Sequence, residues 1–177
     1  AHIDAPKAIA SELGTKQGNS VHSALFEYYT SEFYKQNNTF DLAVFKEMLA
    51  KQNLTPLEFE IWTHKFKEYE IYENERLRAG FRVLECEKEV QSEFCGVQIK
   101  GFIDRIDADA SGDVLILDYK TGEANVNSLQ LAFYEALYGG EVRSAYYALK
   151  NEPSLVSSKK SVEDLNGEIE KLKGINK

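Results

Sequence analysis

The stretch KGFIDRIDADASGDVLILDYKTG, residues 100–122, contains two alternating runs separated by turn-forming residues. The runs VQIKGFIDRID and DVLILDYK alternate apolar and polar side chains, which predicts two β-strands. The connection ADASGD is rich in Gly, Asp and Ser, so it predicts a hairpin turn. A hairpin that closes symmetrically about Ser111 places Asp104 opposite Asp118 and Phe102 opposite Lys120.

Acidic side chains interrupt the apolar faces of this hairpin. Because successive residues of a strand point to opposite faces, Asp118 and Lys120 share one face of their strand. For the same reason Phe102, Asp104 and Ile106 are expected to share a face of the preceding strand. The hairpin therefore carries charged residues at positions where a strand of the core is usually apolar.

Two carboxylates placed opposite each other in a sheet repel, so a cation is expected between Asp104 and Asp118. We favour a divalent metal ion shared by the two acids, with Lys120 beside it to stabilise charge on a phosphate oxygen. The alternative is that both acids lie at the end of the hairpin and are neutralised by Arg105, Lys120 or water.

The rest of the chain predicts helices around a sheet. Apolar residues at helical spacing predict one helix over residues 18–36 and a shorter one through Leu42–Leu49. The capping box TPLE at 55–58 begins a helix that ends near Gly80. RVLECEKEV and RSAYYALK predict two more strands, and LQLAFYEALY predicts a helix between the last two strands. The predicted fold class is α/β, a central mixed sheet of about four strands flanked by helices, with extra N-terminal helices.

The domain organisation follows from length and local composition. At 177 residues the chain fits one domain, which we place at residues 1–150. Residues 151–160, NEPSLVSSKK, resemble a linker, and the helix after them has few apolar positions. Residues 151–177 are therefore predicted to be a linker and a peripheral C-terminal helix.

Composition excludes several classes of protein. No apolar run approaches the length of a membrane span, and the N-terminus lacks the pattern of a secretory signal, which predicts a cytosolic protein. The net charge of −8 argues against a broadly basic nucleic-acid coat, so a polyanion has to be held locally or through a metal. The first residue is Ala1, from which we expect a processed, recombinant or excised piece of a longer protein.

Four short blocks in order resemble a known family. Gly18 followed four residues later by His22, then GFIDRID, DYKTG and QLAFY, resemble the motifs of the PD-(D/E)XK nuclease superfamily. The similarity is greatest to RecB-like nuclease domains, including those of AddB-type subunits, and covers about residues 14–149. The resemblance implies a restriction-endonuclease-like core.

The resemblance also implies roles for individual residues. Asp104 and Asp118 match the metal-binding acids, Lys120 matches the catalytic lysine, and His22 matches the histidine that completes the metal site. An isolated histidine on an apolar helix face is otherwise a core residue that hydrogen-bonds to the backbone. Both interpretations of His22 remain open at this point.

Three further residues match the family less directly. Gln130 and Tyr134 match a motif near the DNA, and they lie one helical turn apart as a polar pair. Glu87 aligns with an acid that the family often carries on the first strand, although it is also one of several glutamates in ECEKE. We treat these three as supporting or DNA-binding residues.

The function implied by the resemblance is hydrolysis of DNA phosphodiester bonds with Mg²⁺ or Mn²⁺, as an exonuclease, in DNA repair and recombination. The implied partners are DNA and a helicase module or a helicase–nuclease partner subunit, with no membrane. Only Cys86 and Cys95 are present, both inside the strand region, so no iron–sulfur cluster is predicted. The alternative is a catalytically silent nuclease-like module that binds DNA or acts as a scaffold.

Overall fold

In the part of the chain that the structure describes, four helices come first, and a sheet with two more helices follows. The computed structural model describes residues 16–94 and 96–175. The helices are α1 (Lys16–Tyr29), α2 (Glu32–Asn37), α3 (Leu42–Ala50), α4 (Pro56–Arg78), α5 (Gln130–Tyr138) and α6 (Val162–Ile175). The strands are β1 (Arg82–Phe94), β2 (Val97–Ala108), β3 (Val114–Lys120), β4 (Arg143–Ala148) and β5 (Ser154–Val156).

The five strands form one mixed sheet in the order β1-β2-β3-β4-β5. All neighbouring strands are antiparallel except β3 and β4, which are parallel and are connected through α5. The predicted fold class is confirmed, since the sheet is mixed and is flanked by helices on both faces. The sheet has one strand more than the sequence predicted.

The additional strand lies in the segment predicted to be a linker. β5 pairs with β4 through Tyr146↔Val156, Tyr147↔Leu155 and Ala148↔Ser154. The linker prediction is therefore wrong for residues 154–156. Their sequence, SLV, is too short to show alternation. These residues form a strand because they pair with the free edge of β4.

The prediction of one continuous helix over residues 18–36 is wrong, because the structure contains two helices there. α1 ends at Tyr29, and Ser31 caps α2 by accepting a hydrogen bond from the backbone N–H of Tyr34 at 3.3 Å. The Ser31 hydroxyl also donates to the carbonyl of Tyr28 at 2.5 Å. A local hydroxyl thus competes with the helix backbone and bends the chain.

The capping box of α4 is confirmed. The Thr55 hydroxyl accepts from the backbone N–H of Glu58 at 3.2 Å, and the Glu58 carboxylate accepts from the Thr55 N–H at 3.3 Å. Pro56 occupies the first turn, where its missing N–H costs nothing. This helix packs on the face of the sheet that carries Leu117 and Tyr147.

Two apolar cores lie on the two faces of the sheet. The first joins helices α1 to α4 to the sheet through Leu115, Leu117, Tyr119, Ala145 and Tyr147. The second joins α5 and α6 to the sheet through residues that include Ile103, Ile106, Ile116, Phe133 and Leu165. The alternation of β3 is therefore as predicted, and Asp118 and Lys120 lie on the α5 side.

The β2–β3 register agrees with the predicted closure. Arg105 pairs with Leu117 and Ala108 pairs with Val114, so Asp104 and Asp118 follow directly after the last pair. The pairing stops there, and the β1–β2 hairpin continues beyond β3. The two acids therefore lie where β2 leaves β3.

The face predicted for Phe102, Asp104 and Ile106 is wrong. Phe102 is 45% exposed, whereas Ile103 and Ile106 are both buried in the second core, which a regular strand does not allow. Glu87, opposite this point between the Cys86↔Arg105 and Lys88↔Ile103 pairs, has a left-handed φ of 47°. This local distortion changes the phase of the alternation beside Asp104.

The C-terminal helix α6 packs on α5. Leu165 is buried in the second core, and Ile169 packs against it. Ser161 and Asp164 form the capping interactions of this helix, in which Asp164 accepts from the Ser161 N–H at 2.8 Å. Across the described ranges 16–94 and 96–175, no helix is both long and apolar enough to cross a membrane.

Candidate active site

The carboxyl end of β3 carries two buried ionisable side chains. Asp118 is 2% exposed and Lys120 is 4% exposed, and both point towards α5. The Lys120 ammonium lies 3.3 Å from Oδ2 of Asp118. An acidic and a basic side chain are thus withdrawn from water together.

Asp118 is held by a second element. The side-chain amide of Gln130, in the first turn of α5, donates to Oδ1 of Asp118 at 3.0 Å. Burial and then the charge of Asp104 raise the pKa of Asp118 well above its usual range, although Lys120 opposes the rise. An ionised Asp118 therefore needs more positive charge than Lys120 supplies.

Asp104 lies at the more open side of the site. Its side chain is 21% exposed, and its Oδ2 accepts from the backbone N–H of Tyr119 at 3.0 Å. The same oxygen lies 3.4 Å from Nε2 of His22. Asp104 thus connects β2, β3 and α1.

His22 projects from α1 towards the end of β3. Its Nδ1 donates to the Gly18 carbonyl at 2.7 Å, and its Nε2 lies 3.2 Å from the Tyr119 carbonyl. Burial lowers the pKa of His22, but the hydrogen bond and charge of Asp104 outweigh burial and raise it to about 9. With Nδ1 held by Gly18, Nε2 is the nitrogen that faces Asp104, an arrangement common among metal-binding histidines.

The remaining predicted residues border the same place. A narrow cavity is lined by His22, Phe26, Glu87 and Asp104, together with Leu25, Cys86 and Tyr119. Burial and the charge of Asp104 raise the pKa of Glu87. Tyr134 is buried on α5, and burial followed by the charges of Asp118 and Asp104 raises its pKa.

The structure therefore brings together all seven residues that the sequence singled out. They are His22, Glu87, Asp104, Asp118, Lys120, Gln130 and Tyr134.

Three polar atoms of this cluster are incompletely satisfied. Oδ2 of Asp118, Nζ of Lys120 and Oε1 of Gln130 are buried without a hydrogen-bond partner among the residues that the structure describes. Buried polar atoms normally make hydrogen bonds. Here Oδ2 of Asp118 and Nζ of Lys120 face each other as an ion pair at 3.3 Å, and both retain hydrogen-bonding capacity for a ligand.

Four buried charged residues, Glu73, Arg76, Arg105 and Asp107, form a network of ion pairs next to the site. Arg105 donates to Glu73 at 2.6 Å and to Asp107 at 2.7 Å, and Arg76 bridges the same two acids. Arg105 also donates to the Tyr119 hydroxyl at 3.2 Å. The network ties α4 to the strands that carry Asp104 and Asp118.

Two tyrosines of the site were not predicted from the sequence. The backbone of Tyr119 contacts both His22 and Asp104, and its ring lies edge-on to His22 at 5.7 Å. Tyr146, on β4, places its ring below the Lys120 ammonium. The D-Y-K sequence signals Tyr119, but Tyr146 enters the site only through the pairing of β3 with β4.

Comparison with known proteins identifies the family. The model of the PD-(D/E)XK nuclease superfamily matches residues 2–175, so the chain belongs to that superfamily. Membership indicates a nuclease, that is a hydrolase, and members of the superfamily generally use divalent metal ions.

No curated protein matches the chain. Among solved structures, "Crystal structure of protein VC1899 from Vibrio cholerae" is similar with a TM-score of 0.33 and 12% sequence identity. The alignment covers 80% of this chain and 43% of the other, so this chain spans less than half the length of that protein.

The donor atoms of the site fit a divalent cation. Among residues 16–94 and 96–175, no group of three or more His, Cys, Asp and Glu side chains has the geometry of a ready metal site. However, Asp118, Asp104 and His22 lie close enough to interact with one another, and they offer carboxylate oxygen and imidazole nitrogen donors. Such a donor set suits Mg²⁺ or Mn²⁺ once its protons are lost.

Proposed function

We propose that this protein is a metal-dependent deoxyribonuclease that hydrolyses phosphodiester bonds. The observation that carries the proposal is the buried ion pair of Asp118 and Lys120 beside Asp104, together with three buried polar atoms that have no hydrogen-bond partner among the described residues. Superfamily membership supports the same reaction. The net charge of −8 is compatible with a DNA substrate only if positive charge is concentrated at the site.

Asp104, Asp118 and His22 would hold the metal ion, which supplies Lewis acidity for activating water and for stabilising negative charge on the phosphate. Gln130 orients Asp118 through the hydrogen bond to Oδ1. Gly18 holds the His22 ring through Nδ1, which leaves Nε2 for the metal side. The Lys120 ammonium then neutralises charge that develops on a non-bridging phosphate oxygen.

The finer assignment rests on the resemblance of the motifs. We propose that the chain is a nuclease domain of RecB/AddB type that acts as an exonuclease in DNA repair and recombination. Residues 1–150 would form the nuclease domain and residues 151–177 its periphery, although β5 extends the sheet beyond that boundary. A helicase module as partner, a cytosolic location and the lack of an iron–sulfur cluster remain predictions from the sequence.

Glu87, Gln130 and Tyr134 line or border the site and are proposed to support the metal or the DNA strand. The second candidate function is a silent nuclease-like module that binds DNA without cutting it. The presence of all three charged residues Asp104, Asp118 and Lys120, two of them buried, favours the enzyme, because burying a lysine is costly and a silent module has no need of it.

Cleavage of linear DNA in Mg²⁺ or Mn²⁺, combined with calorimetric titration of Mn²⁺, tests the proposal. We expect the wild type to bind Mn²⁺ and to cut, Asp118→Ala to lose both properties, and Lys120→Met to bind Mn²⁺ without cutting. Lys100→Met, on the exposed part of β2, is the matched control and should behave as wild type. DNA binding without cleavage by the wild type would identify the silent module instead.

A further inference from the structure

The Lys120 ammonium has an aromatic neighbour that the motifs do not include. Its Nζ lies 5.4 Å from the centroid of the Tyr146 ring, above the ring face. Its ionic partner is Asp118, at 3.3 Å, and no hydrogen-bond partner lies among the described residues. Tyr146 and Asp118 both contact this ammonium with favourable electrostatics.

Tyr146 is placed by the core of the sheet. It lies on β4 directly beside Asp118 in the parallel register, and it is fully buried. The neighbouring pairs Tyr119↔Tyr147 and Lys120↔Ala148 continue the same register. The ring is therefore held by a buried strand of the sheet and lies directly below the Lys120 ammonium.

The contact has the geometry of a cation–π interaction. Ammonium groups within about 6 Å of an aromatic centroid are attracted to the negative ring face, and the attraction grows when both partners are desolvated. Lys120 is 4% exposed and Tyr146 is 0% exposed, so both are desolvated here. The attraction depends on the ring and not on the hydroxyl.

Under the proposed function, the contact between Lys120 and Tyr146 would matter when a metal ion is bound. A metal ion bound to Asp118 would neutralise the carboxylate that Lys120 contacts in the metal-free protein. The attraction between Lys120 and Asp118 would then weaken. We propose that Tyr146 is a positioning residue that keeps the Lys120 ammonium in place when Asp118 is engaged with metal, an inference that rests on the proposed nuclease function.

A kinetic comparison tests the proposal. We expect Tyr146→Leu to lower kcat about tenfold, while KM and the Mn²⁺ affinity stay within about twofold of wild type. Tyr146→Phe, which retains the ring, should keep kcat within about twofold. Tyr138→Leu, which removes a partly buried ring of α5 that packs against the second core, serves as the control for packing. Equal losses in the Phe and Leu variants, or a loss in KM instead of kcat, would overturn the proposal.

Fluorination of the ring isolates electrostatics from packing. Phenylalanine analogues with one, two and three fluorine atoms at position 146 weaken the ring face progressively with little change in shape. We expect the logarithm of kcat to fall steadily with the number of fluorine atoms. A flat series in folded protein would show that the ring acts by shape alone, and the proposal would be abandoned.

An NMR measurement separates this inference from the proposed function. The ring current of residue 146 should shift the Lys120 Cε protons upfield in the wild type and in Tyr146→Phe, and the shift should vanish in Tyr146→Leu. An unshifted Lys120 signal in the wild type would refute the contact itself. A shifted signal in a protein that does not cut DNA would instead refute the nuclease proposal and leave the contact intact.

Discussion

His22 retains its proton at neutral pH in the metal-free protein because its pKa is about 9. Burial lowers this pKa, but the hydrogen bond and charge of Asp104 raise it by more. A cation that binds at Nε2 has to replace this proton. The ion pair of His22 and Asp104 therefore stabilises the metal-free fold, and the proposed metal ion would have to replace it.

The stability of the metal-free protein should fall as the pH rises. A folded-state pKa raised from 6.5 to about 9 gives stability that is complete below pH 6.5 and is lost as the pH passes about 9. The full effect of such a shift is about 3 kcal/mol. Urea unfolding in EDTA at several pH values should show this decline in the wild type and much less of it in His22→Gln. The exposed His64 is the control, since His64→Gln should retain the decline. A decline of the same size in His22→Gln would contradict the assignment.

Asp118 should limit the stability of the metal-free fold. Its raised pKa means that ionisation is unfavourable in the folded state, through burial and through the charge of Asp104. Asp118→Asn keeps the shape and the oxygen that accepts from Gln130, so we expect it to unfold at a higher temperature than the wild type in EDTA. Added Mn²⁺ should stabilise the wild type and not this variant.

Thermal denaturation with and without Mn²⁺ measures both effects on Asp118→Asn. Asp113→Asn, in the exposed hairpin turn, is the matched control and should respond to Mn²⁺ as the wild type does. Equal Mn²⁺ stabilisation of Asp118→Asn would remove Asp118 from the proposed metal site.

The site residues themselves were accessible to sequence reasoning because each belongs to a local pattern. Asp118 and Lys120 follow from the alternation of one strand and Asp104 from the adjoining hairpin, whereas His22 was assigned through the resemblance of its spacing from Gly18 to the family motif. Tyr146 was not accessible, since it meets Lys120 through a parallel pairing between strands separated by a helix. The pairing of β3 with β4 depends on packing of the whole core, so the local sequence around Tyr146 does not predict it.

At the scale of elements, the hairpin of β1 and β2 is distorted where it meets the site. Glu87 has a φ of 47°, a conformation that costs a non-glycine residue about 1–2 kcal/mol. The distortion lies opposite Asp104, between two regular pairs, and changes which side chains face α5. Strain at a site usually indicates that the arrangement of the site requires it.

Glu87→Gly should therefore relieve strain. We expect this variant to gain about 0.5–1 kcal/mol in urea unfolding, because glycine adopts a left-handed φ without a steric cost. Glu89→Gly, two residues along the same strand, has no positive φ to relieve and should lose stability. A loss in both variants would show that Glu87 contributes contacts that outweigh its strain.

Helix ends and strand edges differed in how well the sequence predicted them. The start of α4 was predicted because its capping box is complete within four residues. The break at Ser31 was missed because the apolar spacing continues through it, while the deciding hydrogen bonds come from a single hydroxyl. β5 was missed because three residues carry no periodicity, and only the edge of β4 makes them a strand.

At the scale of the whole molecule, four buried charges join the helical layer to the sheet. Glu73 and Arg76 come from α4, and Arg105 and Asp107 come from β2, so their net charge is zero. Tyr29, Tyr69 and Tyr147 surround Glu73 and donate to it. Pairs of this kind add little stability overall, but the removal of one partner leaves a buried charge unpaired. The network therefore fixes the position of α4 against the strands that bear the site.

Glu73 should make the fold sensitive to acid. Burial alone raises the pKa of this carboxyl, but the charges of Arg105 and Arg76 outweigh burial and lower it to about 2. A folded-state pKa below the usual 4.5 gives stability that is complete above pH 4.5 and is lost as the pH falls towards 2, by up to about 3 kcal/mol. The loss reflects protonation of an acid whose ionised form both arginines require.

Glu73→Gln tests this account because it fixes the group in its uncharged state. We expect the variant to lose about 3–5 kcal/mol at neutral pH, since Arg105 then lacks half of its compensating charge. Its stability should also depend less on pH between 4.5 and 2 than that of the wild type, as measured by urea unfolding. Glu75→Gln, an exposed neighbour on the same helix, should leave both quantities unchanged. If Glu73→Gln lost stability at neutral pH but kept the acid dependence of the wild type, another carboxyl would control the acid transition.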